Sequence, residues 1–446
     1  MQITTINPTT GKTLNTYPTI STDEQNSLID KAQAQFLNWQ HLTLDERIGY
    51  ISALSQELGR QKQVCAELIS LEMGKPIKFS IMEIEKCQLV CEHYIQHAKD
   101  YLAPLKINTE FHKSFVVHQP LGVILAVMPW NFPFWQLFRF LIPNLILGNV
   151  VLLKHASNVS GCAQKIESLC HDAGLPENVL THLIINANKV EEVIAHPLVR
   201  GVTLTGSEDV GRKIAEVAGR NLKKASLELG GNDAAIILAD ADLKHAAKAI
   251  LSSRLRNSGQ VCVSSKRIII DKTVEAKFIK CLLEELSIYQ LQDPLNPQCI
   301  LGPMARADLR VTIHEQIQQA IDEGAELLYG GFMPEGDGFF YPPTVLANVS
   351  KNSIVYQKEL FGPVIAISAF SNLDQAIEPV YTSNLNLAEE LLISKMEAGI
   401  CYANMPVTSD PRFPFGGIKD SGYGRELGRE GMFEFTNIKT VIIDAK

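Results

Sequence analysis

The sequence of 446 residues contains no long uninterrupted apolar run. Its most apolar stretch, Phe134 to Leu153, is broken by Arg139, Pro143, Asn144, Gly148 and Asn149, whereas a membrane span needs about 20 mostly apolar residues. A basic excess is also missing. The 41 Lys and Arg against 49 Asp and Glu leave a formal net charge of −8, which argues against a general nucleic-acid binder that must neutralise phosphates. No period of 20–50 residues recurs and no segment is of low complexity, so solenoids and disordered linkers are excluded. The start, MQITTINPTTGK, has no basic segment leading into an apolar one, and no secretory signal is expected. Cysteine is odd in number and scattered: Cys65, Cys87, Cys91, Cys162, Cys170, Cys262, Cys281, Cys299 and Cys401. That is the usage of a reducing compartment, not of a disulfide scaffold. A cytoplasmic protein with neither membrane nor nucleic-acid partners is therefore expected.

What is present is an ordinary globular composition, 46% hydrophobic and 20% charged, long enough for about three units of roughly 150 residues. Short β-branched runs alternate with amphipathic stretches. VILAVM (123–128), NVVLLK (149–154), VLTHLII (179–185) and GVTLT (201–205) are separated by helical patterns, an order that predicts a mostly parallel sheet covered on both faces. ASLEL and DAAIIL follow Lys224, then a helix from Asp242. A second series follows with SKRIIID (265–271), YPPTVL (341–346), GPVIAIS (362–368) and GICYAN (399–404) as strands. Residues 105–118, read as an isolated strand pair, and 434–444, read as a lone strand, fit neither module; such strands usually pair with something, often a second subunit.

Four local patterns carry chemistry. NSGQVC (257–262) puts small residues before Cys262, so that a base and oxyanion donors can approach a thiolate. SLELGGND (226–233) ends a strand at Glu228 beside two glycines; Glu228 is either a general base or a solvated strand-end carboxylate. VMPWNFP (127–133) sets Asn131 in an apolar frame, where its amide either donates to an oxyanion or caps the next helix. TLTGSEDVGRK (203–213) runs a strand through Gly206 and Ser207 into a helix, a phosphate-binding geometry, but it is neither a P-loop nor GxGxxG. Cys87 and Cys91 precede His93 and His97 in a superficially metal-like set. On a helix, however, 91 and 93 point about 200° apart, so four ligands do not converge and no metal is expected.

In order along the chain, NPTTG, PWNFP, LTGS, LELGGND, GQVC, ELFGP (359–363) and PFGGIKDSG (414–422) resemble the aldehyde dehydrogenase superfamily over nearly the whole length. The resemblance implies an α/β fold. It comprises a Rossmann-type dinucleotide domain (1–104 and 119–227), an α/β catalytic domain (228–418) and a β oligomerisation arm (105–118 and 419–446), assembling as a homodimer or homotetramer. It implies Cys262 as nucleophile, Asn131 with the Cys262 N–H as oxyanion donors, and Glu228 as the base that activates water. Trp130, Lys154, Ser157, Gly206, Ser207, Glu359 and Phe361 fall where the family binds NAD or NADP. Ser157 stands where many NAD-dependent relatives carry Glu, so a 2′-phosphate is not repelled.

Arg139 and Arg256 occupy the spacings at which the succinate-semialdehyde branch holds the substrate's far carboxylate, with Ser409 as a further contact; a guanidinium fork suits that task. Succinate semialdehyde is thus the expected substrate, with a neutral or amino-aldehyde as the alternative. One departure stands out. Between DQAIE (374–378) and VYTSN (380–384) the family usually has about a dozen more residues, and here only Pro379 intervenes. Losing a strand there would uncover ladder groups, and this motivates a further alternative, a catalytically impaired cofactor-binding or assembly protein.

Overall fold

A computed structural model describes residues 2–371 and 380–445. A hairpin of Gln2–Ile6 and Thr13–Pro18 leads into four helices, Thr22–Trp39, Leu44–Arg60, Lys62–Met73 and Ile77–Tyr101. The first two begin in capping boxes, Ser21 with Glu24 and Thr43 with Glu46, which satisfy otherwise orphaned N–H groups. The third ends at Gly74 in the left-handed conformation, which glycine adopts without a Cβ penalty.

The first six-stranded sheet has the spatial order Gly422–Tyr423, Lys224–Glu228, Val199–Thr205, Val123–Met128, Val150–His155, Leu180–His182. All neighbours are parallel except the first pair. The near-continuous apolar runs of Val123–Met128 and Val150–His155 follow from burial on both faces. From Val123–Met128 the chain steps outward in one direction and then returns to build on the other side. The carboxyl ends of Val123–Met128 and Val199–Thr205 therefore flank a topological switch point, where open α/β sheets bind ligands. The second sheet runs Glu326–Tyr329, Thr344–Ala347, Val364–Phe370, Arg267–Asp271, Ala234–Ile237, Val380–Tyr381, parallel but for its first strand. A third sheet joins Thr436–Ile443, Lys113–Pro120 and Leu105–Lys106.

The structure is the mixed α/β protein expected, with three corrections in detail. Gly422–Tyr423, grouped with the arm from sequence, extends the first sheet by pairing with Leu227 and Glu228. GICYAN is not a strand: only Ala403 makes an isolated bridge, to Val380. The shortened junction at 374–379 lies outside the described residues, but the strand after it is present. Val380 and Tyr381 pair with Ile236 and Ile237, so the edge expected to be bare is covered over two residues. No described helix is long and apolar enough to cross a membrane.

Two buried histidines make the first sheet acid-sensitive. His155 accepts from Ala156 N–H at Nδ1 (2.9 Å) and so donates from Nε2 to the Pro133 carbonyl (2.9 Å), which fixes the neutral tautomer. Burial pushes His155 down to about 4, and burial with its neighbours His155 and Lys154 pushes His182 down to about 3. These groups are proton-free when folded and protonate near 6.5 when unfolded, so their stabilisation is present above pH 6.5 and lost as pH falls toward 4. Each is worth on the order of 3 kcal/mol across that window. Denaturant midpoints from pH 7 to 4.5 should fall, and the slope of stability with pH in His182→Gln should be shallower by about one proton; an unchanged slope would contradict the neutral assignment.

Candidate active site

After the helix Leu243–Arg254 the chain turns sharply through Asn257 and Ser258 (φ +54 at both) and Gly259 (φ +76). Three left-handed residues in succession are costly for non-glycine side chains, and such strain persists only where surroundings enforce it. Here Asn257 Nδ2 donates to the Asn131 carbonyl (2.8 Å), Ser258 Oγ to the Gly302 carbonyl (2.8 Å), and Ala305 N–H to Gln260 Oε1 (3.0 Å). The strongest restraint is Arg254. Its fully buried guanidinium donates to the carbonyls of Gly259, Leu360, Gly362 and Val364 and to Ser264 Oγ, all within 2.5–2.9 Å. Burial pulls Arg254 down to about 9, still charged at neutral pH. The turn delivers Cys262 to the mouth of two cavities, of about 880 and 160 Å³, which share Arg139, Cys262, Val263, Val407 and Phe415.

Asn131 is buried on the loop leaving Val123–Met128, and its Nδ2 donates to the Gln260 carbonyl (3.1 Å), leaving its second N–H without a partner among the described residues. The Cys262 N–H itself has no partner among the described residues. Asn131 does not cap the following helix. Glu83, from the helix Ile77–Tyr101, does so: its Oε1 accepts from the N–H groups of Phe134 and Trp135 (2.9 and 3.0 Å). Glu83 is itself ion-paired with Lys75, both side chains fully buried.

Glu228 ends its strand buried, with Oε1 lacking a hydrogen-bond partner, and is not the solvated carboxylate of the simpler reading. Burial first, and the nearby Glu426 second, push its carboxyl well above the usual range, with Arg139 opposing. Contrary to expectation, Arg139 is engaged within the protein: it is ion-paired with Glu426, donates to Thr205 Oγ1 (3.2 Å) and stacks over Phe415 (4.7 Å). Burial raises the Cys262 thiol above its ordinary value, while Arg139 and Lys266 pull it down. Lys266 also donates to the Cys262 carbonyl and pairs with Glu359 (3.2 Å).

The smaller cavity brings Arg139, Arg256 and Ser409 together with Cys262. Among the described residues Arg256 makes no ion pair and its Nε has no hydrogen-bond partner, and its guanidinium lies about 6 Å from the rings of Phe79 and Phe132. Lys154 is buried on Val150–His155 without an ion pair among the described residues, and burial lowers its pKa. Ser157 is exposed one turn on. Ser207 caps the helix Glu208–Arg220 without a side-chain hydrogen bond, and Gly206 N–H donates to the Glu228 carbonyl (3.0 Å). Trp130 and Phe361 meet edge to face at 5.6 Å. No cluster of three or more metal-ligating side chains occurs among the described residues, and Cys87, Cys91, His93 and His97 share one helix without converging.

Sequence reading missed Lys86, Glu83, Arg254 and Glu426. Each acts through a partner more than a hundred residues away or on another element, and no local spacing announces that.

A strained turn bearing Cys262, a buried carboxylate at Glu228 and a switch-point cleft thus meet around one pair of cavities. The profile of the aldehyde dehydrogenase family matches residues 1–441. The chain belongs to that family. It is 42% identical to a probable NADP+ succinate-semialdehyde dehydrogenase of Synechocystis sp., covering 99% of this chain and 100% of the relative. It is 38% identical to the NAD(P)+ succinate semialdehyde dehydrogenase Sad of Escherichia coli, covering 98% and 96%. Among solved structures, the succinic semialdehyde dehydrogenase of Streptococcus pyogenes in complex with NADP+ superposes with a TM-score of 0.96 at 37% identity, covering 99% of this chain and 100% of that one.

A Cβ at Gly259 would sit 2.1 Å from the Gly362 carbonyl, whereas one at Gly49, on the helix Leu44–Arg60, meets nothing within 4 Å. Gly259→Ala should therefore cost at least about 3 kcal/mol and abolish activity, while Gly49→Ala should stabilise by about 0.5–1 kcal/mol. Unfolding curves of the two variants check this.

Proposed function

We propose that this protein oxidises succinate semialdehyde to succinate with NAD(P)+, using Cys262 as nucleophile, Glu228 as base and Asn131 as oxyanion donor. The single observation that carries the substrate is the cavity beside Cys262, which Arg256 lines without an ion pair among the described residues. The names of the relatives support it.

The Cys262 sulfur adds to the aldehyde carbon, and the carbonyl oxygen takes the resulting charge. Asn131 Nδ2 and the Cys262 N–H, two donors with capacity left over, would receive it. The nicotinamide, when bound, supplies the acceptor for the hydride that leaves that carbon. What remains on Cys262 is a thioester. Glu228 takes a proton from water as its oxygen attacks the thioester carbon, the C–S bond breaks, and the acid departs with the thiol restored. With its carboxyl held high by burial and Glu426, Glu228 acts as base only as pH rises, so thioester hydrolysis should accelerate with pH above the usual carboxylate range.

Several residues fit the cofactor. The first-turn N–H groups of Glu208–Arg220, left open by Ser207, suit a pyrophosphate, and Lys154 and Ser157 suit the adenosine ribose with or without a 2′-phosphate. Trp130, Glu359 and Phe361 would border the nicotinamide end. A homo-oligomer joined through the three-stranded sheet, in the cytoplasm, completes the reading.

Cys262→Ala should abolish turnover while retaining cofactor binding. Arg256→Ala should raise KM for succinate semialdehyde at least tenfold with a smaller effect on kcat. Initial rates with succinate semialdehyde and butanal, each with NAD+ and NADP+, check both; equal efficiency on the two aldehydes in the native enzyme would overturn the substrate.

A further inference from the structure

The small cavity beside Cys262 contains three cations, Lys86, Arg139 and Arg256, and one carboxylate, Glu83. Buried charges need partners, so pairing decides which of them awaits a ligand. Glu83 is taken by Lys75 and by two backbone N–H groups of the helix Trp135–Leu147. Arg139 is taken by Glu426. Asp410, next to Ser409, is held by both arms of Arg412 (2.9 and 2.6 Å). Lys86 and Arg256 make no direct ion pair among the described residues, although Asp410 and Glu83 lie near enough to act on them weakly.

Lys86 is also aimed. Its Nζ donates to Ser409 Oγ (2.6 Å) and lies 4.2 Å over the Trp135 ring, which holds the ammonium inside the cavity. Because Ser409 Oγ accepts from Lys86, its own proton is free to donate to an anion. Lys86, Ser409 and Arg256 thus supply three donors to one small chamber that Cys262 also lines. Resting on the substrate reading above, the geometry points to Lys86 as a specificity-determining residue: it grips the far carboxylate of the aldehyde together with Arg256 and Ser409, in the place expected of Arg139.

The charge surroundings make this grip pH-dependent. Burial first, then repulsion from Arg256 and Arg139, pulls Lys86 down to about 7, with Cys87 and Asp410 opposing weakly. Glu83 and Cys262 complete the titratable and charged groups facing the chamber. Below pH 7 the ammonium is present; above it the free enzyme loses the proton and must regain it to bind the anion. KM for a carboxylate-bearing aldehyde should therefore climb toward tenfold per pH unit above 7, whereas KM for a neutral aldehyde should not.

The test measures kcat and KM for succinate semialdehyde and butanal from pH 6 to 9 in the native enzyme and in Lys86→Met. The proposal predicts that the substitution raises KM for succinate semialdehyde at least tenfold at pH 6.5 and changes kcat less than threefold. It also predicts that the efficiency ratio over butanal falls tenfold or more and that the pH climb in KM disappears. If the native enzyme prefers succinate semialdehyde but Lys86→Met keeps that preference, Lys86 is not the determinant, although the substrate reading survives. If the native enzyme shows no preference, the substrate reading itself has failed. Should Lys86→Met not fold, the native pH profiles decide alone: parallel KM profiles for the two aldehydes overturn the proposal.

Discussion

The active site depends on one buried guanidinium. Arg254 spends all its hydrogen-bonding capacity on the nucleophile turn at Gly259 and Ser264 and on the segment Leu360–Val364. The first is irregular backbone and the second runs up to the start of the strand Val364–Phe370, and a group with five fixed donors answers their carbonyls at once. Without it the left-handed run Asn257–Ser258–Gly259 has little reason to persist, and Cys262 loses its place between the two cavities. The constraint also joins two proposed functions: the segment that Arg254 binds is continuous with Glu359 and Phe361, so the proposed nucleophile and the proposed nicotinamide border are held by one side chain.

Around that clamp the charges are arranged by pairing. Lys75 with Glu83 and Arg139 with Glu426 are buried ion pairs that stiffen the frame, one supporting the Asn131 loop and the other standing beside Glu228. Such pairs add little net stability once desolvation is counted. Their value here is geometric: they neutralise Lys75, Glu83, Arg139 and Glu426 in fixed places and leave Arg256 and Lys86 as the cations proposed to meet substrate. An acidic protein thereby keeps a cationic chamber.

Much of the fold was legible because parallel strands covered on both faces read as unbroken apolar runs, as in VILAVM and VVLLK. The lone strands at 105–118 and 434–444 were legible because they fit neither module, though their partner turned out to be one another. GICYAN failed because a β-rich composition does not guarantee a ladder; beside a two-residue edge strand it makes a single bridge. In the site, Cys262, Glu228 and Asn131 stand in motifs dense with Gly and Pro, where backbone need and chemistry coincide in a few positions. Lys86 and Glu83 sit on an ordinary amphipathic helix, and only tertiary packing turns that face toward the nucleophile. The altered place of Arg139 was illegible for the same reason, because its counter-ion, Glu426, lies 287 positions along the chain.

The central claim is that Cys262 and Glu228 divide the reaction into acylation and hydrolysis. Rapid mixing of Glu228→Gln with succinate semialdehyde and NADP+ or NAD+, followed by mass analysis of the quenched protein, tests it most directly. The account predicts a burst of reduced cofactor close to one equivalent per active site, a stalled steady state, and a succinyl group trapped on Cys262. Steady turnover at the native rate, or a burst with no acyl group on Cys262, would contradict it.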